Sequence, residues 1–143
     1  MSGTSFPPGT YIAEIPCSLR VIAEDGSTAQ DEFGSPLRMT IDEEGGIQIN
    51  ESELVVGQEV VRSIPTADLA FEVVAITRMG SLLSVEYEPR PTLPGITIEG
   101  ELRETYRSES GSIHVESRAD LLITDVSTVT TFTADCQGNL VVE

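Results

Sequence analysis

The stretch TADCQGNLVVE (residues 133–143) decides the fold, because its Cys136 has a single other cysteine to pair with, Cys17 near the opposite end of the chain. Such a pair can form only where the two ends of the chain lie side by side. A β-sheet that closes on itself brings its first and last strands together. Strands along the whole chain would therefore account for the positions of both cysteines.

Period-two alternation of apolar and polar residues runs through most of the sequence, and helical periodicity is almost absent. In TYIAEIPCSLRVIAE (residues 10–24), every second residue from Tyr11 to Val21 is apolar and shares one face of a strand. The following Asp25-Gly26 predicts a turn. STAQDEFGSP (residues 27–36) is typical of a polar loop, after which PLRMTID resumes the strand pattern.

The middle of the chain predicts further strands. EEGG turns the chain into IQIN, and ESELVVGQEVVRS (residues 51–63) fits a loop with one short strand or a single helical turn. From Leu69 to Ala75 every second residue is again apolar, which predicts that Leu69, Phe71, Val73 and Ala75 share the face of a strand that packs in the core. The clearest hairpin joins ITIEGELRETYR to SIHVESRADLLITD through SESG, in a register that places Tyr106 opposite Ile113 and Arg103 opposite Glu116.

Roughly eight to ten consecutive strands, several of them long, favour an all-β fold with a single up-and-down antiparallel β-barrel. We expect residues 1–8 to form a flexible N-terminal segment and residues 9–143 to form the single barrel domain. In such a barrel the first strand pairs with the last, and Cys17 and Cys136 become neighbours that form a disulfide. The alternative is two unrelated buried thiols.

The charge of the chain excludes several classes of function. Its 143 residues include 24 acidic and 8 basic residues, a formal net charge of -16, and such a surface repels nucleic acid and anionic lipids. There is no lysine, so chemistry through a lysine Schiff base is excluded. Apolar runs fall far short of the roughly 20 residues that span a bilayer, so no membrane insertion is expected.

The expected location is extracellular, periplasmic or in the cell envelope, because disulfides persist in oxidising compartments. MSGTSFPPGT at the start has neither a basic nor an apolar signal region, so the secretion signal would have been removed. A cytoplasmic protein is the alternative.

No catalytic or metal site is predicted. The sequence has no GxSxG, HExxH, P-loop or GxGxxG motif, and its single histidine, His114, alternates with polar residues on the outer face. Two cysteines without a nearby histidine pair do not make a zinc site. The turns DEEGG (residues 42–46) and AEDGS could bind calcium weakly, but an acidic surface alone explains them. We therefore expect a protein that is not an enzyme and needs no cofactor.

One carboxylate stands out, because the hairpin pattern places Glu104 on the inner face between Leu102 and Tyr106. A carboxylate inside a barrel is costly unless it is paired or reaches water. It could form the polar end of a ligand cavity whose other walls are apolar. The candidate residues are Glu104, Tyr106 and Ser117 at the polar end, and Phe71, Val85 and Tyr87 in the walls. The alternative places Glu104 at the rim, in water.

Four stretches together resemble small secreted bacterial lipocalin-like proteins: GTYIAEIPC, PLRMTIDEEGGI, GELRETYRSESGSIHVESRADL and TADCQGNL. In those proteins an N-terminal GTY strand carries one cysteine and a closing C-x-G-x-L stretch carries the second. The resemblance covers nearly the whole chain and implies a calycin-type barrel.

Two functions remain open. The first is a non-catalytic secreted lipocalin-like barrel that binds a small hydrophobic ligand, which requires an interior cavity above about 100 Å³, ligand pockets usually exceeding roughly 300 Å³. The second is a structural or adhesive module of the cell envelope or extracellular space with a filled barrel and no ligand. An exposed apolar patch would favour the second, and Val55-Val56, Val60-Val61 and Val141-Val142 are its candidate positions.

Overall fold

The computed structural model is all-β and describes residues 6–64, 67–90 and 94–143, within which no helix occurs. There is accordingly no helix in the described ranges that could span a membrane. The strands are β1 (Gly9–Ile22), β2 (Thr28–Ile41), β3 (Ile47–Ile49), β4 (Ser52–Glu53), β5 (Glu59–Ile64), β6 (Ala67–Met79), β7 (Leu82–Arg90), β8 (Thr97–Glu109), β9 (Ser112–Thr124) and β10 (Val129–Val142).

All ten strands belong to one antiparallel sheet in the order β4-β3-β2-β1-β10-β9-β8-β7-β6-β5. Strands that follow one another in the sequence are neighbours, except for β4 and β5, which form the two edges of the sheet. The first strand pairs with the last, as predicted. The result is a nearly closed up-and-down barrel whose seam lies between β4 and β5, which confirms the predicted fold class.

The predicted disulfide is present. Cys17 on β1 lies directly opposite Cys136 on β10, and their sulfur atoms are 2.04 Å apart. Across the next strands the same row continues from Cys136 to Ser117 on β9 and from Ser117 to Glu104 on β8. The disulfide therefore ties together the two ends of the chain at the level of the inward carboxylate.

The barrel is capped at the end where β1 begins. Phe6, which lies in the N-terminal segment (residues 1–8) that was predicted to be flexible, is 1% exposed and belongs to the hydrophobic core. The guanidinium of Arg78 lies 5.8 Å from the centre of its ring and donates a hydrogen bond to the Gly45 carbonyl. The Tyr11 hydroxyl donates to the Pro7 carbonyl at 2.9 Å. The core thus extends three residues upstream of β1.

The loop predicted at residues 27–36 is wrong, because β2 begins at Thr28 and pairs with β1 along its whole length. The predicted turn is confirmed: the Asp25 carboxylate accepts hydrogen bonds from the backbone and hydroxyl of Ser27. A long first strand offers its neighbour a full row of backbone partners, and this pairing outweighs the local preference of a polar, glycine-containing segment for a loop.

The predicted register of the β8–β9 hairpin is also wrong, by two residues. Tyr106 lies opposite Val115, and Arg103 lies opposite Arg118, because the turn consists of only Ser110 and Gly111. Gly111 adopts a φ of 82°, which a tight hairpin turn requires. Each of the two facing arginines forms its ion pair elsewhere, with a carboxylate on β7, β9 or β10.

Two smaller predictions also need correction. A β-bulge in β6 shifts the register between Val73 and Ala75, so Ala75 lies opposite the outward Glu86 and Ile76 takes the inward position. Residues 51–63, predicted as a loop with one short strand or as a single helical turn, contain two strands, β4 and most of β5.

Candidate functional site

The centre of the barrel contains a buried ion pair. Both oxygens of the Glu104 carboxylate are bonded by the Arg62 guanidinium, Nε to Oε2 at 3.0 Å and Nη2 to Oε1 at 3.2 Å. Glu104 is 5% exposed, and the Arg62 side chain is 15% exposed. Bidentate hydrogen bonds between arginine and a carboxylate are about twice as strong as neutral hydrogen bonds, so Arg62 is a suitable partner for a buried carboxylate. The alternative that placed Glu104 at a solvated rim is wrong.

Two tyrosines complete this network. Glu104 Oε1 accepts hydrogen bonds from the Tyr87 hydroxyl at 2.6 Å and from the Tyr106 hydroxyl at 2.8 Å. Arg62 also donates to the Tyr87 hydroxyl at 3.1 Å, and its guanidinium lies 5.4 Å from the Tyr87 ring centre. No buried side-chain nitrogen or oxygen among the described residues lacks a partner. We name these four residues, Arg62, Tyr87, Glu104 and Tyr106, the central network.

The protonation states of the central network are fixed by its own charges. Burial raises the pKa of Glu104, but the charge of Arg62 and the hydrogen bonds from both tyrosines outweigh it, so this pKa lies below its ordinary value. Burial and the neighbouring carboxylate raise the pKa of Tyr87 and of Tyr106 far above the ordinary value of a phenol. The network therefore consists of one cation, one anion and two neutral donors, with no group ready to exchange a proton near neutral pH.

The walls around the network are apolar. Phe71 meets Tyr87 edge to face, with ring centres 6.4 Å apart and planes inclined by 72°. Val85 lies directly opposite Glu104 in the β7–β8 pairing and is completely buried. Ser117 lies opposite Glu104 on the other side, on β9, and is half-buried. The structure thus brings together all six residues predicted for the ligand site.

The cavity beside the central network measures about 80 Å³ and is partly open to solvent. Of the predicted residues, Glu104, Phe71 and Ser117 line this cavity, whereas Tyr87, Tyr106 and Val85 pack in the core away from it. The volume lies below the 100 Å³ that a ligand site was expected to need. It is also well below the roughly 300 Å³ at which small-molecule pockets usually begin.

Among the residues of this region that the sequence prediction missed are Arg62 and Phe33. Arg62 follows Val60 by two positions in β5, so simple alternation would have placed it on the inner face. Phe33 falls in the segment interpreted as a loop, and the structure places it half-buried beside the cavity.

The other candidate sites serve structural roles. His114 lies on the outer face of β9, where its Nδ1 is 2.9 Å from the Asn139 side-chain oxygen. The Asp42 carboxylate accepts hydrogen bonds from the backbone nitrogens of Glu44 and Gly46, and this stabilises the β2–β3 turn. Within the described ranges no group of three potential metal ligands converges.

Five of the six predicted patch positions are exposed. Val55 is 41% exposed, Val56 63%, Val141 52%, and Val61 and Val142 59% each, whereas Val60 is buried in the core. The exposed valines are thus distributed over the loop before β5, β5 itself and the end of β10.

Comparison with known proteins found no matching family model, no similar curated protein and no similar solved structure.

Proposed function

We propose that the protein is a non-catalytic structural or adhesive module whose barrel serves as a stable scaffold. The observation that carries the proposal is the small interior volume: the central network and its apolar walls occupy the barrel and leave about 80 Å³. Eight of the ten strands are six residues or longer, because β3 and β4 have only three and two residues. A barrel of eight strands is just wide enough for its side chains to fill it, and one with a large hydrogen-bonded network inside needs no ligand to be stable.

The proposed location is the extracellular space, the periplasm or the cell envelope, and the proposed relationship is to lipocalin-like barrels. The Cys17–Cys136 disulfide is compatible with an oxidising compartment. The nearly closed antiparallel barrel is consistent with a lipocalin-like fold. A net charge of -16 keeps such a module soluble and separate from other anionic surfaces.

The filled interior can be tested with benzene and indole as apolar probes, by following the methyl resonances of the protein in NMR titrations. The wild type should show no saturable shift. The matched control is Leu102→Ala, because Leu102 is 4% exposed and lines the cavity, so that its truncation enlarges the space available. This variant should bind at least one probe, as enlarged apolar cavities do. Saturable binding of either probe to the wild type would contradict the proposal.

A second candidate function is the binding of a very small apolar ligand. It is favoured by the walls of the cavity, which combine the half-buried rings of Phe33 and Phe132 with the charged pair Arg62 and Glu104. Mostly apolar walls with a few placed polar groups are typical of ligand sites. Phe33 and Phe132 both line the cavity, so saturable chemical shift changes at those two rings during the titration would identify such a ligand.

A further inference from the structure

The seam of the barrel leaves a long strand edge unpaired. β3 pairs with β2 only from Met39 to Ile41. At the preceding residue, the Arg38 backbone nitrogen donates a hydrogen bond to the Asn50 side chain at 2.9 Å. Beyond this point, among the described residues, no strand pairs with the segment 28–37 of β2 on the side away from β1. We name this segment the free edge of β2. Unpaired strand edges present rows of backbone donors and acceptors to any chain that can align with them.

The free edge borders the interior cavity. Phe33 and Leu37 of β2 and Arg62 of β5, the strand on the other side of the seam, all line it. Phe33 and Leu37 are only half-buried. A strand that paired with the free edge would therefore place every second side chain on the inner side of the seam, where Phe33 and Leu37 offer apolar contacts. The cavity of about 80 Å³ has room for about one small apolar side chain, so the other inward side chains would lie against the rim that these two residues form.

The outer side of the seam is acidic. Glu32 on β2 and Glu59 on β5 are exposed on the outer face, and the Glu14 side chain lies over Gly34 of β2. Val61, two residues after Glu59 on β5, is 59% exposed. A strand in the seam would meet negative charge with its outward residues, and the aliphatic stems of long basic side chains would cover the exposed valine.

We propose that the free edge of β2 binds one extended peptide segment of a partner protein, with apolar residues facing the cavity and basic residues facing outward. This mode is strand addition, in which backbone hydrogen bonds supply affinity and alternate side chains supply specificity. The inference rests on the proposed function, because it names the class of partner that an adhesive module of this shape would hold.

The test uses a synthetic peptide in which valine alternates with lysine, labelled for fluorescence anisotropy, together with hydrogen exchange of the unlabelled complex. A peptide in which valine alternates with glutamate controls for charge. A peptide with the same composition but with valines and lysines in separate blocks controls for alternation. The Val-Lys peptide should bind saturably. When the peptide is present at about ten times its dissociation constant, hydrogen exchange should slow about tenfold at the amides of residues 28–37 that point away from β1.

The central variant is Glu32→Arg, and its matched control is Glu101→Arg, because Glu101 is an exposed outer residue of β8, away from the seam. Reversing a charge beside the bound strand should weaken binding about threefold to fivefold at moderate salt, whereas the control should change it less than twofold. Both substitutions lie on the surface, so both variants should fold.

Four results would overturn the inference: no saturable binding of the Val-Lys peptide, binding without slowed exchange in residues 28–37, equal binding of either control peptide, or slowed exchange that grows with protein concentration in the absence of peptide. The last result would identify a second copy of the chain as the occupant. Binding of benzene or indole to the wild type would contradict the filled scaffold but leave these readouts unchanged, so failure of the proposed function and failure of this inference can be distinguished.

Discussion

Substitution of Glu104 by glutamine should destabilise the protein strongly, although it changes one atom. Glutamine retains a carbonyl oxygen for the hydroxyls of Tyr87 and Tyr106, but it leaves the Arg62 guanidinium without its anion. Removing one member of a buried ion pair costs about 3–5 kcal/mol. Because the Arg62 side chain is 15% exposed and can reach some water, we expect the lower end, about 3 kcal/mol.

The measurement is urea unfolding followed by far-ultraviolet circular dichroism, with the disulfide intact. The control is Glu101→Gln, an exposed position on the same strand, which should change the free energy of unfolding by less than about 0.5 kcal/mol. The double variant Arg62→Met with Glu104→Gln removes both charges and keeps the tyrosine acceptor. It should lose at least about 2 kcal/mol less than the two single variants combined. If Glu104→Gln were no worse than its control, the reasoning on the buried ion pair would be refuted.

Three further predictions follow from the same structure. The pKa of Glu104 in the folded protein lies below its ordinary value of 4.5, so the stability that ionised Glu104 gives the fold is complete above about pH 4.5 and is lost as the pH falls through the folded pKa. Glu104→Gln should flatten this part of the pH profile of stability, measured by urea unfolding. An unchanged profile would contradict this prediction. Reduction of the bond between Cys17 and Cys136, 119 residues apart, should cost about 4–5 kcal/mol, seen as a lower urea midpoint with reductant; an unmoved midpoint would contradict it. Gly100 has a φ of 128°, and a Cβ there would clash with a backbone carbonyl, so Gly100→Ala should lower the free energy of unfolding by about 2–4 kcal/mol in the same assay. The control Gly34→Ala should lower it by less than about 1 kcal/mol, because only a flexible side chain must move there.

The inward position of Glu104 could be predicted from the sequence even though the hairpin register was wrong. A register shift of two residues preserves which face each side chain occupies, whereas a shift of one would have inverted it. The predicted charge pairs across β8 and β9 depended on the exact register, so the shift of two residues made them wrong. Arg103 therefore lies opposite an arginine, and its ion pair is with Glu86 on β7.

Alternation after Val60 could have placed Arg62 on the inner face, but it could not show that Arg62 pairs with Glu104, because the two lie 42 residues apart on strands that do not pair. What the sequence did indicate was the requirement, since an inward carboxylate needs a counter-ion or water. The β-bulge in β6 could not be predicted from the sequence pattern either. Alternation from Leu69 predicted an inward Ala75, and one extra residue moved that position to the outer face.

The disulfide was predictable for a topological reason rather than a local one. Neither the segment around Cys17 nor the segment around Cys136 indicates its partner, but an up-and-down barrel allows its first and last strands to pair. The position of the seam was not predictable in the same way. It lies between β4 and β5, in the part of the sequence where alternation is weakest.

The most direct test of a disulfide-tied barrel with a filled interior is the intact mass of the purified protein under native and denaturing conditions. We predict the same mass in both, two hydrogens below the reduced chain, because Cys17 and Cys136 are bonded and the interior holds no ligand. Additional mass that is present under native conditions and lost on denaturation would contradict the filled scaffold, and the full reduced mass would contradict the tie between the two ends.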